Sequence, residues 1–544
     1  MTSSDNKRHV YWCRECGVPL LQPKCGNCGE TGIKIVSNLR PVFELEKHLI
    51  EQFTEVVLPE QTKLLWMNHW TLWHNGQRYL RLTGNGKPQI QVRYSTDTGP
   101  QEDSLDIKAE VISAANRVTL RKLEDDAINF INETTSQFSQ CLPVVSFSGG
   151  KDSVVVSHLV RKALKTEAVT HIFGDTNNEL PHTYEFIECF INDNKSIPFF
   201  RGQTNRDWFN MCDILQPPSR ITAWCCSVFK SSSIVRAIQS IPMSSKILCF
   251  EGMRRSESSR RRNRPAIATR NKIAGQILAR PILGWKDIDV WIYTLANGLP
   301  INTAYKFGLS RVGCLYCPHH TARGDWWLEQ IYPDKMEMWK NYIVEYAKNK
   351  LTKPDPEDYW VSGAWKARVG NNGARPRGQL EMRSCVDDAS TNFLLQRNFD
   401  AKWIGNLLKP FGQIEETEMS GGHCFKVSFN GTPLFLLWGV EGFPRAKLTV
   451  LEQNDKRSIT LRVIRQLRKF QACVFCGVCE VVCQYKAITV NPEVQQYTID
   501  ENLCTHCMEC VGGKRIKSGC VAINTSYGRP RKASLAQPSI RKTK

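Results

Sequence analysis

The chain has 544 residues, of which 41% are hydrophobic and 23% charged. That balance fits three or four globular domains of about 150 residues each and excludes disordered, collagenous and coiled-coil classes. Lys and Arg outnumber Asp and Glu by 72 to 53, a formal charge of +19, so anionic partners such as nucleotides or nucleic acid are expected. No run approaches the ~18 apolar residues of a membrane span. The opening Met1-Thr-Ser-Ser-Asp-Asn-Lys lacks the apolar core of a secretory signal, so a cytoplasmic protein with no membrane partner is expected.

Twenty-two cysteines without an export signal point to metal binding or catalysis ahead of disulfides. The first group, Cys13-Arg-Glu-Cys16 and Cys25-Gly-Asn-Cys28, can wrap four sulfurs around one Zn²⁺. Gly17, Gly26 and Gly29 suit the tight knuckles. This segment, residues 1–40, resembles a zinc ribbon, whose role is either a structural staple or nucleic-acid or substrate docking. Residues 41–138 follow as a β-rich stretch, with Trp, Tyr and Val between turn residues over 60–100. A long amphipathic helix over 106–138 then leads in, carrying Ile107, Val111, Ala115, Val118, Leu123 and Ile128.

The next domain, 139–350, opens on the strand-length run Leu142-Pro-Val-Val-Ser-Phe147. Ser148-Gly149-Gly150-Lys151-Asp152-Ser153 comes next, and then apolar residues at 155, 156, 159, 160, 163 and 164 in helical spacing. A strand, a glycine-rich turn and a helix together present backbone N–H groups and a helix N-terminus to phosphate. A Walker loop needs a different pattern, Gly-x4-Gly-Lys-Ser/Thr. The hexapeptide resembles the PP-loop of the ATP pyrophosphatase superfamily, which grips the β,γ-diphosphate and releases it after transferring AMP.

Later segments extend the likeness. Strand candidates at 169–173 and 246–250 lead into Gly174-Asp175-Thr176…Glu179-Leu-Pro181-His-Thr183-Tyr184 and Gly252-Met-Arg254-Arg-Ser-Glu257-Ser258-Ser-Arg260. These resemble elements of the phosphoadenosine phosphosulfate (PAPS) reductase family over about residues 140–322, as do Pro281 to Trp291 and Leu299 to Asn302. Asn177 and His182 depart from the family's commonest residues. Six arginines fall between 254 and 264, and guanidinium forks suit phosphate or sulfate. Arg261, Arg262 and Arg264 also fit a solvated basic loop. The resemblance implies nucleotide binding by Ser148, Gly149, Gly150, Lys151, Asp152, Ser153, Asp175, Gly252 and Glu257. It gives catalytic roles to Lys151, Asp152, Arg254 and Arg260, with Mg²⁺ as a further expected cofactor.

Cys225-Cys226 and Cys314-Leu-Tyr-Cys317 form the middle cysteine group. Sulfonucleotide reductases of the same family that act on APS hold one [4Fe-4S] cluster on such a pair plus a later Cys-x-x-Cys, so a central cluster is expected, with structural zinc as the rival. The helically spaced aromatics Trp326, Trp327, Trp339, Tyr342 and Tyr346 fit core packing better than base stacking. The six remaining cysteines, Cys141, Cys189, Cys212, Cys249, Cys385 and Cys424, are expected to be small buried hydrophobes.

Lys353 to Arg377 has linker composition, and 351–465 otherwise forms an α+β segment without a recognised motif. Over 466–525, Cys473-x2-Cys476-x2-Cys479-x3-Cys483 and Cys504-x2-Cys507-x2-Cys510 follow the bacterial ferredoxin pattern. In that pattern the fourth cysteine of each run serves the other cluster. Cys473, Cys476, Cys479 and Cys520 would hold one cluster, and Cys504, Cys507, Cys510 and Cys483 the other. Gln484 stands where the pattern has proline, and a nine-residue insert precedes Cys520. Zinc is the rival metal here too. The tail, 526–544, is basic and expected to be disordered. With one Zn²⁺ and three [4Fe-4S]²⁺ cores bound to sixteen thiolates, the formal charge falls to about +11.

The expected fold class is α/β: a parallel-sheet core of the adenine nucleotide alpha hydrolase (PP-loop) kind, an N-terminal zinc ribbon and a C-terminal α+β ferredoxin-like module. The family's sulfonucleotide reductases usually degrade the PP-loop and carry a nucleophilic cysteine in a C-terminal Glu-Cys-Gly-Leu/Ile-His tail. Here the loop is intact and that tail motif is absent. The expected activity is therefore cleavage of ATP to AMP and diphosphate, which activates an acceptor, tRNA or DNA among the candidates, for sulfur transfer. Electrons would come through the ferredoxin module from a donor protein. A ferredoxin-fed APS or PAPS reductase is the alternative, and a nucleic-acid-binding redox sensor is a third reading.

Overall fold

The computed structural model describes residues 8–83, 89–93, 109–204, 206–220, 222–242, 246–269, 273, 276–351, 353–366, 381–384, 390–491, 493–511 and 520. Among the described residues no helix is long and apolar enough to cross a membrane. The chain divides into two compact units, Met1–Thr204 with Ser233–Tyr346 and Asn205–Ser232 with Ala347–Lys544.

The first unit begins with a small antiparallel sheet of β1 (Tyr11–Cys13), β2 (Val18–Leu20) and β3 (Ile33–Lys34), in the order β2-β1-β3. A five-stranded antiparallel sheet follows, built from β4 (Arg40–Pro41), β5 (Leu65–Asn68), β6 (Thr71–His74), β7 (Gln77–Thr83) and β8 (Gln89–Arg93). Helix α1 (Glu44–Thr54) lies between β4 and β5 in the chain. The long helix α2 (Ala109–Gln137) then leads into the core, burying Ile112, Ala115, Leu120, Ala127 and Ile131 along one stripe.

The core elements are β9 (Leu142–Ser146), α3 (Lys151–Leu164), β10 (Thr170–Gly174), α4 (Pro181–Asp193), β11 (Phe199–Gly202), β12 (Ile247–Glu251), β13 (Ile267–Ala268), β14 (Gln276–Ala279) and α5 (Asp287–Ala296). Strands β9 to β12 and β14 pair in parallel in the order β11-β10-β9-β12-β14, and β13 closes the edge antiparallel to β14. Val155, Val156, Leu159 and Val160 of α3 are all fully buried, which is why the period-3.6 stripe folds as a helix. Ser146, the last residue of β9, is in register with Ile172 of β10 on one side and Glu251 of β12 on the other. Successive strands thus leave β9 in opposite directions, making a topological switch at its carboxyl end. Open parallel sheets bind ligands at that crevice.

In the second unit, β15 (Glu381–Ser384), β16 (Ser390–Leu394), β17 (Gln413–Met419), β18 (Gly422–Phe429), β19 (Thr432–Gly439) and β20 (Arg445–Val450) form an antiparallel sheet ordered β15-β16-β20-β19-β18-β17. Its apolar side chains share a core with α6 (Ala401–Leu408) and α7 (Lys456–Ala472). That core continues through α8 (Val478–Val482) and the hairpin of β21 (Ile488–Asn491) with β22 (Gln496–Ile499), around which the C-terminal cysteines are set.

Two expectations need correction. Within the segment of linker composition, Pro356–Val361 forms a helix, and Trp365 and Lys366 are buried. Proline at the start of that helix pre-sets φ, so its proline content does not break structure there. Residues 367–377, Cys385, the 512–519 insert and the tail after residue 520 lie outside the described residues. Cys141, Cys212, Cys249 and Cys424 are buried, but Cys189 on α4 is exposed. The core stripe of α4 runs through Thr183, Ile187 and Phe190, which leaves position 189 facing away.

Candidate nucleotide site and metal centres

The loop between β9 and α3 is held by its own sequence. Gly149 has φ of 70°, the left-handed region that a side chain disfavours. Gly150 caps α3. Ser153 Oγ accepts from the Ser148 amide (3.1 Å) and donates to the Gly150 carbonyl (2.8 Å), bracing the turn from within. Asn302 Nδ2 donates to the Gly149 carbonyl (3.2 Å) and to Thr183 Oγ1 (3.2 Å). The Lys151 amide donates to the Tyr305 hydroxyl (3.3 Å). Ser148 itself is exposed at the tip. Gly252, at the end of β12, approaches the same turn so closely that a Cβ there would lie 2.7 Å from the Asp152 carbonyl group.

Beneath the turn sits an alternating charge quartet. Lys151 Nζ lies 3.1 Å from Asp152 and 3.0 Å from Asp287, while the Arg254 guanidinium pairs with Asp152 and, at 2.8 Å, with Asp287. Lys151 and Arg254 are each only 4% exposed. Burial alone would lower the Lys151 pKa, but Asp152 and Asp287 outweigh it and hold the ammonium above its ordinary value. Burial likewise pushes the Asp152 carboxyl up, and the Lys151 and Arg254 charges bring it below its usual range. Lys151 and Arg254 thus enter the site already neutralised. They fix Asp152 and the first turn of α3. Asp287 is the member that the sequence did not reveal, because a lone carboxylate at a helix start carries no local signal of a partner more than 130 residues away.

Asp175 also takes an internal role. It is fully buried, and its Oδ1 accepts from the Asn177 amide (2.8 Å) and the Tyr184 hydroxyl (2.9 Å). Its Oδ2 accepts from Arg201 Nη2 (2.6 Å) and Nε (2.9 Å) and from Gln203. Asp175 therefore shapes the β10–α4 loop. Asn177, one of the departures from the family pattern, has φ of 55°, which asparagine tolerates better than other side chains. His182, the other departure, meets the Tyr332 hydroxyl through Nδ1 at 2.6 Å.

The arginine-rich segment is also sorted by burial. Glu257 caps the turn by accepting from the Arg254 amide (2.8 Å) and pairs with Arg261. Arg260 is exposed on the short helix Ser259–Arg262, apart from the buried quartet. Arg262 and Arg264 are exposed as well.

The four ribbon cysteines converge. Their sulfurs all lie within 4.8 Å of one another, with Cys13 3.4 Å from Cys28 and Cys16 3.7 Å from Cys25. Four sulfurs about 2.3 Å from one zinc stand at roughly such separations, so the donor set fits that ion. The ribbon is fastened to α2. The Gly26 amide donates to the Ala115 carbonyl (2.9 Å), and buried Asn116 accepts from the Leu21 amide (2.7 Å) while donating to the Pro19 carbonyl (3.0 Å). These bonds fit the staple role.

The C-terminal cysteines also sort by position. Burial first, and then Cys520 and Cys479, raise the Cys473 thiol, while Cys479 and Cys520 act in the same sense on Cys476. Cys504 is raised first by burial and then by Cys483 and Cys507, among its causes. Each run thus feels the fourth cysteine of the other, and Cys510 feels Cys479 of the first run ahead of Cys507 and Cys504. In the middle group, Cys225 is buried and Cys226 exposed at the start of a π-helical turn in the second unit. Cys314 and Cys317 belong to the first unit. There Cys314 bridges to Glu179, the Leu315 amide donates to the Asn178 carbonyl (2.6 Å), and Val312 lies against Gly150 of the loop. The Cys314–Cys317 stretch therefore borders the 148–153 loop.

Residues 142–320 match the family model described as the phosphoadenosine phosphosulfate reductase domain. An uncharacterized protein of Methanocaldococcus jannaschii is 29% identical over 265 residues, 48% of this chain and 53% of that protein. An adenosine 5'-phosphosulfate reductase of Neisseria meningitidis is 32% identical over 111 residues, 19% of this chain and 43% of that protein. A sulfate adenylyltransferase subunit 2 of Mycolicibacterium vanbaalenii is 25% identical over 213 residues, 34% of this chain and 64% of that protein. The chain spans about half the length of the curated relatives that it matches first. Its α/β parallel-sheet core is thus similar to the PAPS reductase domain over residues 142–320.

Proposed function

We propose that this chain is an iron–sulfur enzyme of sulfur metabolism that binds an adenine nucleotide at residues 148–153 and cleaves ATP to AMP and diphosphate. The observation that carries this reading is the intact loop at the strand switch, with Gly149 in the left-handed region and Ser148 exposed above the start of α3. The N-terminus of α3 offers the diphosphate a fixed partial positive charge. Ser148 donates to it, while Ser153 and the quartet keep the loop in shape. An acceptor oxygen attacks the α-phosphorus and diphosphate leaves. Sulfur carried to the adenylylated acceptor then displaces AMP, the adenylyl group having made the acceptor oxygen a leaving group. Similarity to a sulfate adenylyltransferase subunit supports the adenylylation half of this reading.

In this reading the cofactors are one zinc on Cys13, Cys16, Cys25 and Cys28, two C-terminal clusters and a third on Cys225, Cys226, Cys314 and Cys317. The clusters would supply electrons from a donor protein and a place for sulfur. Mg²⁺ accompanies the nucleotide, and tRNA or DNA is the candidate acceptor.

Similarity to an APS reductase favours a second reading, reductive release of sulfite from a sulfonucleotide. One experiment separates the two. The anoxically prepared, metal-loaded chain is assayed for ATP–diphosphate exchange with tRNA or DNA present, and for sulfite from APS or PAPS with a reductant. Exchange without sulfite supports the proposal. Sulfite without exchange overturns it in favour of the reductase, and neither product under any of these conditions overturns both.

A further inference from the structure

Lys469 sits on the last turn of α7, within the core that surrounds the C-terminal cysteines. It is 1% exposed. Among the described residues its Nζ has no hydrogen-bond partner, and it stands 3.8 Å from the centre of the Tyr497 ring, the contact of a cation over an aromatic face. An ammonium buried in this way costs several kcal/mol unless opposite charge lies close by, and a face contact offsets only part of that cost. Among the described residues no carboxylate pairs with it.

What does surround Lys469 is sulfur. Cys479, Cys520 and Cys510 all act on it, and all three are buried. The first two belong to one expected ligand set and the third to the other. The Cys473 amide also donates to the Lys469 carbonyl (2.8 Å), which ties the end of the helix to the first ligand loop.

We propose that Lys469 is a positioning residue for electron transfer: a fixed buried cation shared by both C-terminal clusters, which favours their reduced forms. The inference rests on the ferredoxin reading of these cysteines. An oxidised cluster on four thiolates carries a formal charge of about −2, and accepting an electron makes it about −3. A cation nearby therefore stabilises the reduced state more than the oxidised one and raises the potential of each cluster. A lysine at this position serves the redox couple and sets a positive charge beside the buried Cys479, Cys510 and Cys520.

The test uses the full chain, prepared anoxically, with iron and sulfide measured before potentiometric titration followed by EPR. Lys469→Met keeps the length and removes the charge, while Lys469→Arg keeps the charge. The Met variant is expected to retain its iron and to be harder to reduce by about tenfold, which is about 59 mV for a one-electron couple. The Arg variant is expected to stay within about threefold of wild type, or about 30 mV by the same conversion. If the Met variant loses iron while the Arg variant keeps iron and potential, the charge requirement still stands. An iron-replete Met variant with wild-type potentials, or loss of iron in both variants, overturns the proposal and reduces Lys469 to a space-filling side chain. Absence of iron and sulfide from the wild-type C-terminal module would instead overturn the ferredoxin reading itself.

Discussion

Replacing Asp287 with asparagine tests the charge quartet that underlies the nucleotide loop. Asp287 Oδ1 contacts Lys151 at 3.0 Å and Arg254 at 2.8 Å, and both cations are buried. The change leaves two buried cations facing the single carboxylate of Asp152. Removing one partner of a buried ion pair costs about 3–5 kcal/mol, and the 23% exposure of the Asp287 side chain puts this case near 3. Since 1.4 kcal/mol is tenfold, local opening of α3 should become roughly a hundredfold more frequent. Hydrogen–deuterium exchange of the α3 amides reads this directly in the full chain. The Glu44–Lys47 pair, 3.8 Å apart with an exposed Glu44, is the control, because Glu44→Gln should change exchange by less than the equivalent of ~1 kcal/mol. Asp287→Asn exchange within about threefold of wild type, a difference under ~1 kcal/mol, would refute the quartet as the brace of the loop.

Other expectations can be checked separately. His171 is fully buried against Ser157 Oγ and the Val169 carbonyl, and burial pulls its pKa from 6.5 down to about 4. The unfolded chain therefore takes up a proton below pH 6.5 that the folded chain refuses until about pH 4. Stability measured by denaturation should fall across that window, and His171→Gln should flatten the fall. Gly252→Ala drives a methyl into the Asp152 backbone, so nucleotide affinity by calorimetry should drop at least about tenfold, in keeping with overpacking costs of about 1–3 kcal/mol. Metal analysis of anoxic protein should give about twelve iron and one zinc per chain, and Cys225→Ala should remove about four iron. Eight iron in the wild type would contradict the central cluster.

What the sequence made legible was local. The convergence of Cys13, Cys16, Cys25 and Cys28 is legible because their spacings lie within a few residues of chain, and the loop at 148–153 because strand, turn and helix are contiguous. The apolar stripe of α3 is legible for the same reason. Partners contributed by remote segments were not legible. Arg254 and Arg260 look equivalent in the sequence, yet the first is locked under the loop and the second is exposed, because only the first faces Asp152 and Asp287. The partners of Asp175 are remote too: Arg201 and Gln203, brought in by β11 and the residue after it, donate to its carboxylate. Lys469 is one more basic residue on a basic helix until the fold buries it beside Cys479, Cys510 and Cys520.

Equilibrium dialysis of labelled ATP against the anoxic, metal-loaded chain tests the central claim most directly. One nucleotide should bind per chain, inorganic diphosphate should displace it, and Gly149→Val should abolish retention while the clusters stay in place. Retention of no nucleotide by fully loaded protein, or retention indifferent both to diphosphate and to position 149, would contradict the account.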